Sequence, residues 1–505
     1  MIEEGLGRRE LGHARSERAL GLASSLVSAT DGSWFWAAAA ALAVLGGAAA
    51  GLHLPTSGDS FVHIATGRLI ASRGLAGSSS FMLGSRPLDP RSWLLDLGLA
   101  HIYAWGGIGL LEILASLMGA MTGALLWLAI RLDGRAHPVM AMVALALGLA
   151  ALDPAITSLP AGVMALLAAG WMACFVGLRQ GRRWAPWGLL AVILLWAQTD
   201  SFVVVVGPLT VMALLLLTPK SGSARWWMLP IGVLLASCVN PQGPLNYSLL
   251  PYSLGMFGES PLLPLFNSPD FHPWGARLSE LTALALLLGY LMEGRQAGRA
   301  WGFLAMATAV LTLLWSGYLP LFLVVAAVEA GLLLSWWASN LIAAHPPARR
   351  WGSGRQVALV AGLPALVAVL LLGHAAQQAR AKGGPEGQLA AILPVAAASW
   401  LGSHPLPGVW YTTPDFGDYL AATDPTGHRL ACTTDPVADG PRLMADCERL
   451  AVLNQGALSV LRALQARVAV LPRAAPEVAF LRAEGWAIRY RDATTVVLTA
   501  VPSLR

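Results

Sequence analysis

Asp59 and His63 stand four residues apart, a spacing that puts a carboxylate and an imidazole on one face of a helix. They lie in the stretch Pro55 to Trp105, read as SGDSFVHIATGRLIASRG followed by RPLDPRSWLLDLGLAHIYAW. The same stretch holds Arg68, Arg73, Arg86, Asp89, Arg91, Asp96 and His101, although long apolar runs flank it on both sides. Carboxylates and guanidiniums gathered on one surface of a membrane protein make a site for an anionic group. The plainer reading is a structured loop whose arginines meet lipid headgroups or pair with Asp59, Asp89 and Asp96.

Two helices must position these groups. Asp59 or Ser60 caps the first, which ends at Gly74, and Asp89-Pro90 opens the second with a cap and a proline at the first helical position. Gly67, below the Asp59–His63 face, leaves room for a close approach.

Composition fixes the setting. Of 505 residues, 56% are hydrophobic and 12% charged, against about 25% charged in soluble domains. Mean hydropathy is +0.60. This is the composition of a helical, polytopic membrane protein. The net charge of +5 does not point to nucleic acid, because no basic run is interleaved with aromatics. Residues 1–30 are polar and mixed in charge, unlike a cleavable signal, and read as a disordered cytoplasmic tail.

About eleven spans are expected: Trp34–Leu54, Gly107–Ile130, Val139–Leu152, Ile156–Leu178, Trp187–Gln198, Phe202–Leu217, Trp226–Val239, Leu278–Met292, Trp301–Trp315, Leu319–Trp337 and Val357–His374. With the N-terminus in the cytoplasm, each cytoplasmic segment carries Arg or Lys, for example Arg131, Arg135, Arg179, Arg182 and Arg183. The opposite loops are nearly free of them, save the loop at 55–106 with its arginines. Glu112 and Glu329 fall in spans, where each lines a lipid groove or bonds a Ser or Trp on a neighbouring helix.

An odd number of spans places the remainder outside. Residues 31–376 form the transmembrane module, 377–390 a linker, and 391–505 a soluble α/β domain. In that domain a short helix is expected near Pro394–Gly402. Strands are expected at Gly408–Tyr411, Leu430–Thr433, Val468–Leu471, Ala487–Tyr490 and Thr495–Thr499, with helices at Pro441–Leu453 and Gly456–Gln465. Arg491-Asp492 reads as a hairpin turn. The domain has no glycine-rich phosphate loop and no Ser/His/Asp arrangement, and reads as a binding or packing module. Cys432 and Cys447 can pair if it faces an oxidising compartment, while Cys174 and Cys238 lie in apolar spans.

Several short motifs stand in an order that carries a resemblance: the first-loop pattern, LLWAQTDSFVVVV at Leu194–Val206, CVNPQGPLNY at Cys238–Tyr247, FNSPDFH at Phe266–His272 and GYLPLFLVV at Gly317–Val325. Together they resemble the bacterial membrane glycosyltransferases of the GT-C superfamily, related to the protein O-mannosyltransferases and lipid-A sugar transferases. The resemblance implies a GT-C-like bundle in the bacterial inner membrane with its C-terminal domain extracytoplasmic. It implies transfer of a sugar from a polyprenyl-phosphate carrier to an extracytoplasmic glycan or lipid acceptor, with membrane lipid as a further partner. Such a reaction needs a carboxylate to take the acceptor's proton and cations to receive the departing phosphate. Asp59 is the expected base, or the ligand of a divalent cation if one is used, with His63 beside it. Arg68, Arg73, Arg86 and Arg91 are the phosphate candidates, and Asp270, His272 and Asp200 form a second polar cluster. Ser268-Pro269-Asp270 reads equally well as an ordinary turn.

The chain departs from the family's pattern. One acid stands in Ser57-Gly58-Asp59 where the family usually has two, GSSSF at Gly77–Phe81 lacks the usual Asp, and Ser92 replaces an acid. Asp200 stands for a usual His, and Gly317 for an Arg. These losses keep a second function open, that of a non-catalytic scaffold or glycan-binding relative. A transporter fits less well, because no inverted repeat is visible.

Overall fold

A computed structural model describes residues 33–51, 57–75, 90–134, 136–156, 158–217, 227–250, 299–344, 384–424, 429–453 and 456–500, together with scattered positions between 268 and 290. Its first part is a helical bundle. The helices are α1 (Ser33–Gly51), α2 (Asp59–Arg73), α3 (Trp93–Leu132), α4 (Pro138–Leu152), α5 (Leu159–Arg179), α6 (Ala185–Thr199), α7 (Val203–Leu216), α8 (Met228–Ser237), α9 (Arg299–Leu314) and α10 (Leu319–Ala344). Among the described residues, α3, α5 and the stretch Ser316–Asn340 are long and apolar enough to cross a bilayer, and six shorter apolar helices accompany them. Val357–His374 lies outside the described residues, and Leu278–Met292 is described only at scattered helical positions.

Small residues let the bundle close. Gly47 and Gly51 of α1 meet Ala115 and Gly119 of α3 backbone to backbone, the contact that apolar helices use when lipid supplies no hydrophobic drive between them. The second loop helix is not separate from the span after it. Trp93–Leu132 is continuous except for a break at Gly106 and Gly107, where Gly107 takes φ +57°. That break separates the polar start of α3, carrying Asp96, from its apolar length.

The ends of the bundle differ in charge. At one end Arg131 lies over the Trp36 ring at 4.6 Å, Arg179 approaches Asp133 at 3.9 Å, and Arg179 lies 5.8 Å from the Trp301 ring. At the other end stand α2, the start of α5 and the end of α6 with Asp200. Within the bundle, the buried Glu329 accepts the Tyr290 hydroxyl at 2.7 Å, so its partner is a tyrosine rather than a Ser or Trp.

The C-terminal part consists of α11 (Gly384–Ala390), α12 (Val395–Ser403), β1 (Val409–Thr412), α13 (Pro414–Thr423), β2 (Leu430–Ala431), α14 (Pro436–Ala451), α15 (Ala457–Ala463), β3 (Ala466–Pro472), α16 (Pro476–Ala483), β4 (Ala487–Arg491) and β5 (Thr495–Thr499). Its sheet has the order β2-β1-β3-β5-β4. The first three strands pair in parallel, and β5 lies antiparallel to β3 and β4. Asp492 turns the last hairpin by accepting the N–H groups of Thr494 and Thr495. Cys432 and Cys447 are bonded.

Three features differ from the sequence reading. The expected linker is partly helix, α11. Leu389 in α11 and Leu393 after it are buried with Phe61, Leu95 and Leu99. The sequence reading has no helix at α13 or α16. α13 matters most, because Tyr419 and Ala422 belong to that same buried cluster. The C-terminal domain therefore shares a core with the first loop.

Candidate functional site

Asp59 opens α2, where a carboxylate is favoured by the helix dipole. Gly74 ends the helix at φ +75°, its N–H returning to the Ile70 carbonyl. The face carrying Phe61, Ile64, Ala65 and Ile70 is buried. Ser60 reaches across to α5, its Oγ accepting the Leu159 N–H at 3.0 Å, while Ser158 Oγ accepts the Ala161 N–H one turn on. Two serines thus satisfy donors at the start of a buried helix that water cannot reach. The space beside Gly67 is filled by the main chain of α3: a Cβ at Gly67 would lie 2.0 Å from the Asp96 carbonyl oxygen.

That approach sets the central pair. Asp96, 2% exposed, places Oδ1 2.5 Å from His63 Nδ1. The other ring nitrogen, Nε2, stands 3.9 Å from Asp59 Oδ1. The order is carboxylate, imidazole, carboxylate, with the outermost one on the partly exposed Asp59. Burial lowers the imidazole's hold on a proton. Asp96 opposes this, with Asp59 and Asp435 adding to it, and His63 is pushed up to about 10. At neutral pH His63 is therefore an imidazolium held between two acids.

Asp200 ends α6 nearby. It accepts the Trp196 indole N–H at 3.3 Å and the Phe202 N–H at 3.0 Å. Burial pushes it up to about 6, the two hydrogen bonds and the His63 charge pull it down, and Asp59 raises it. The C-terminal domain adds further acids. Asp418 is fully buried and accepts the Thr434 N–H and hydroxyl; burial raises it well above the usual carboxylate range, and Asp415 and Asp59 raise it further.

The arginines that are described lie at different points along the first loop. Arg68 donates Nη1 to the Ala422 carbonyl and lies over the Tyr103 ring at 5.3 Å. Arg73 is exposed in the last turn of α2, about 21 Å further along the helix axis than Asp59. Arg91 is buried in the single 3-10 turn Pro90–Ser92. Arg86, Asp270 and His272 lie outside the described residues, as does Asp89. Among the described residues no group of three or more His, Cys, Asp or Glu side chains is arranged to hold a metal ion.

No family model and no curated protein matches this chain. Among solved structures it is similar to ArnT from Cupriavidus metallidurans bound to undecaprenyl phosphate, at 14% identity and a TM-score of 0.46, over 93% of this chain and 98% of that one. It is similar to the mycobacterial arabinofuranosyltransferase AftD at 14% identity and 0.46, over 92% of this chain and 40% of that one. Likeness of this degree assigns no role to any side chain.

Sequence reasoning put Asp59 and His63 on one helix face and Asp200 in a second polar cluster with Asp270 and His272, and it missed what surrounds Asp59 and His63. Asp96 carries no local signal, since it reaches His63 across 33 residues. Asp415 and Asp418 stand in PDFGDYL, whose proline opening and Phe416, Tyr419 and Leu420 at helical spacing are the signs of an amphipathic turn.

Proposed function

We propose that the chain is an integral-membrane glycosyltransferase of the GT-C kind. In this reading it moves a sugar from a polyprenyl-phosphate donor to an acceptor hydroxyl on the extracytoplasmic side of a bacterial inner membrane. One observation carries the reading: Asp59, a partly exposed carboxylate, stands at the end of an apolar bundle away from Arg131 and Arg179, backed by an imidazolium that Asp96 locks in place. The sequence motifs supply the rest.

In the reaction, the acceptor oxygen bonds to the anomeric carbon while the carbon–oxygen bond to phosphate breaks. Asp59 takes the hydroxyl proton, and the polyprenyl phosphate leaves with the bonding electrons. His63, 3.9 Å away, orients Asp59. Arg68, Arg73, Arg86 and Arg91 remain the candidates for the departing phosphate. We place the N-terminus in the cytoplasm with about eleven spans and the C-terminal domain outside. The basic end of the bundle and the bonded Cys432–Cys447 pair support that orientation.

The scaffold reading has support of its own, since Arg68 is committed to Ala422 and only one acid stands at the start of α2. Asp59→Asn separates the two. An enzyme keeps its abundance in the membrane but loses envelope glycan product by about 10²–10⁴-fold; a scaffold keeps the product unchanged.

A further inference from the structure

The turn that presents Asp59 hangs on the C-terminal domain. Asp415 Oδ1, in the first turn of α13, accepts the Gly58 N–H at 2.6 Å and the Ser57 hydroxyl at 3.2 Å. Ser57 Oγ in turn accepts the Asp59 N–H at 3.2 Å. Gly58, Ser57 and Asp59 thus share one oxygen 357 residues away, directly or through a hydroxyl. Gly58, the cap residue of α2, makes no side-chain cap bond of its own. It is also the point of closest approach, because a Cβ there would lie 2.4 Å from the Asp415 carbonyl oxygen. Beyond it α2 and α13 stay in contact in the same order along both helices. Phe61 meets Tyr419 edge to face at 4.9 Å, and Arg68 donates to Ala422.

From this relay we infer that Asp415 is a positioning residue. It holds the main chain of residues 57–59, and with it the Asp59 carboxylate, so that the C-terminal domain is a working part of the site and not an appended binding module. The inference rests on the reading of Asp59 as the base. A general base must hold its place to a fraction of an ångström to act, and a short turn tied locally by the Ser57 hydroxyl does not do that alone. Phe61–Tyr419 and Arg68–Ala422 fix the direction of α2 against α13, and Asp415 fixes its first turn.

Amide hydrogen exchange on the full chain in detergent, with envelope glycan product measured in parallel, tests this. Asp415→Ala should raise exchange at residues 58–62 by about tenfold or more, the size of a lost charge-assisted hydrogen bond, while β3 stays protected. Asp415→Asn keeps an acceptor oxygen and should restore most of that protection and most of the product, whereas Asp59→Asn restores none. Ser57→Ala changes no residue of the C-terminal domain, removes the hydroxyl between Asp415 and the Asp59 amide, and should loosen that amide while Gly58 stays bonded to Asp415, which keeps the test alive if Asp415→Ala fails to fold. Unchanged exchange at Gly58 and Asp59 in the Asp415 and Ser57 variants overturns the inference. So does full product from Asp415→Ala in a chain where Asp59→Asn abolishes it. If instead exchange rises as expected and Asp59→Asn leaves the product intact, the docking stands and the transferase reading falls.

Discussion

A histidine between two carboxylates is a different chemical object from a histidine beside one. At the four-residue spacing of Asp59 and His63 the pair reads as a base with a companion. Asp96, fixed by the packing of α2 on α3, turns the companion into a cation. The sign of the pH dependence follows. The folded imidazole binds its proton more tightly than the unfolded one, so its stabilisation is complete below the unfolded value of about 6.5 and is lost as pH rises toward about 10. Asp200, raised by burial, acts in the same direction at lower pH, its folded form losing stability as it ionises near 6. The melting temperature of the solubilised chain should therefore fall between about pH 7 and about pH 9.5, and His63→Gln should remove at least half of that fall. An equal slope in the variant would show that His63 carries no extra proton. The Asp59–His63 spacing was legible because i,i+4 is a local rule; Asp96 was not, because the turn between the two helices sets its register.

At the scale of elements, the helices were legible wherever apolar runs or caps marked them. α2 ends at its Gly74 stop as expected, but its cap is Gly58 rather than Asp59 or Ser60, and β3 and β5 match the apolar runs that predict them. The junctions were hidden. Gly67 leaves room, but for the Asp96 carbonyl rather than a ligand, and pattern alone does not say which neighbour fills such a gap. Gly67→Ala should drive α2 off α3 at a cost of about 1–3 kcal/mol, read as a lower melting temperature. Gly98→Ala is the control. It lies in the same α3 turn region with no atom within 4 Å of the added carbon, and should be neutral or stabilising by up to about 1 kcal/mol. Equal effects at the two positions would refute the close approach. α13 was missed for a related reason: it is short, and its buried residues Phe416, Tyr419 and Leu420 serve two cores at once, the domain's own and the one shared with α2.

At the scale of the molecule, the helical bundle and the helices α11 and α13 of the C-terminal part meet through one buried cluster in which Phe61, Leu99, Leu159, Leu389 and Tyr419 come from five different segments. Full burial of each such side chain contributes roughly 1.5–3 kcal/mol, which sets the strength of the junction. The bonded Cys432–Cys447 pair holds the strand end from which Thr433 and Thr434 reach Asp439 and Asp418. Replacing both cysteines by serine should cost the C-terminal domain about 3 kcal/mol, as for a closed loop of about 15 residues, measured by chemical unfolding. A loss near zero would mean the loop is already held by other contacts. Composition and charge alternation made the two-part plan legible; which surface of the C-terminal part faces the loop was not, since no periodicity encodes a contact across more than three hundred residues. The central claim is that Asp59 works on a polyprenyl-phosphate sugar. Purified full chain in lipid nanodiscs, supplied with undecaprenyl-phosphate-linked sugars and an envelope extract as acceptor, should release undecaprenyl phosphate, and Asp59→Asn, equally folded, should release about 10²–10⁴-fold less. Release at the same rate from both would contradict the account.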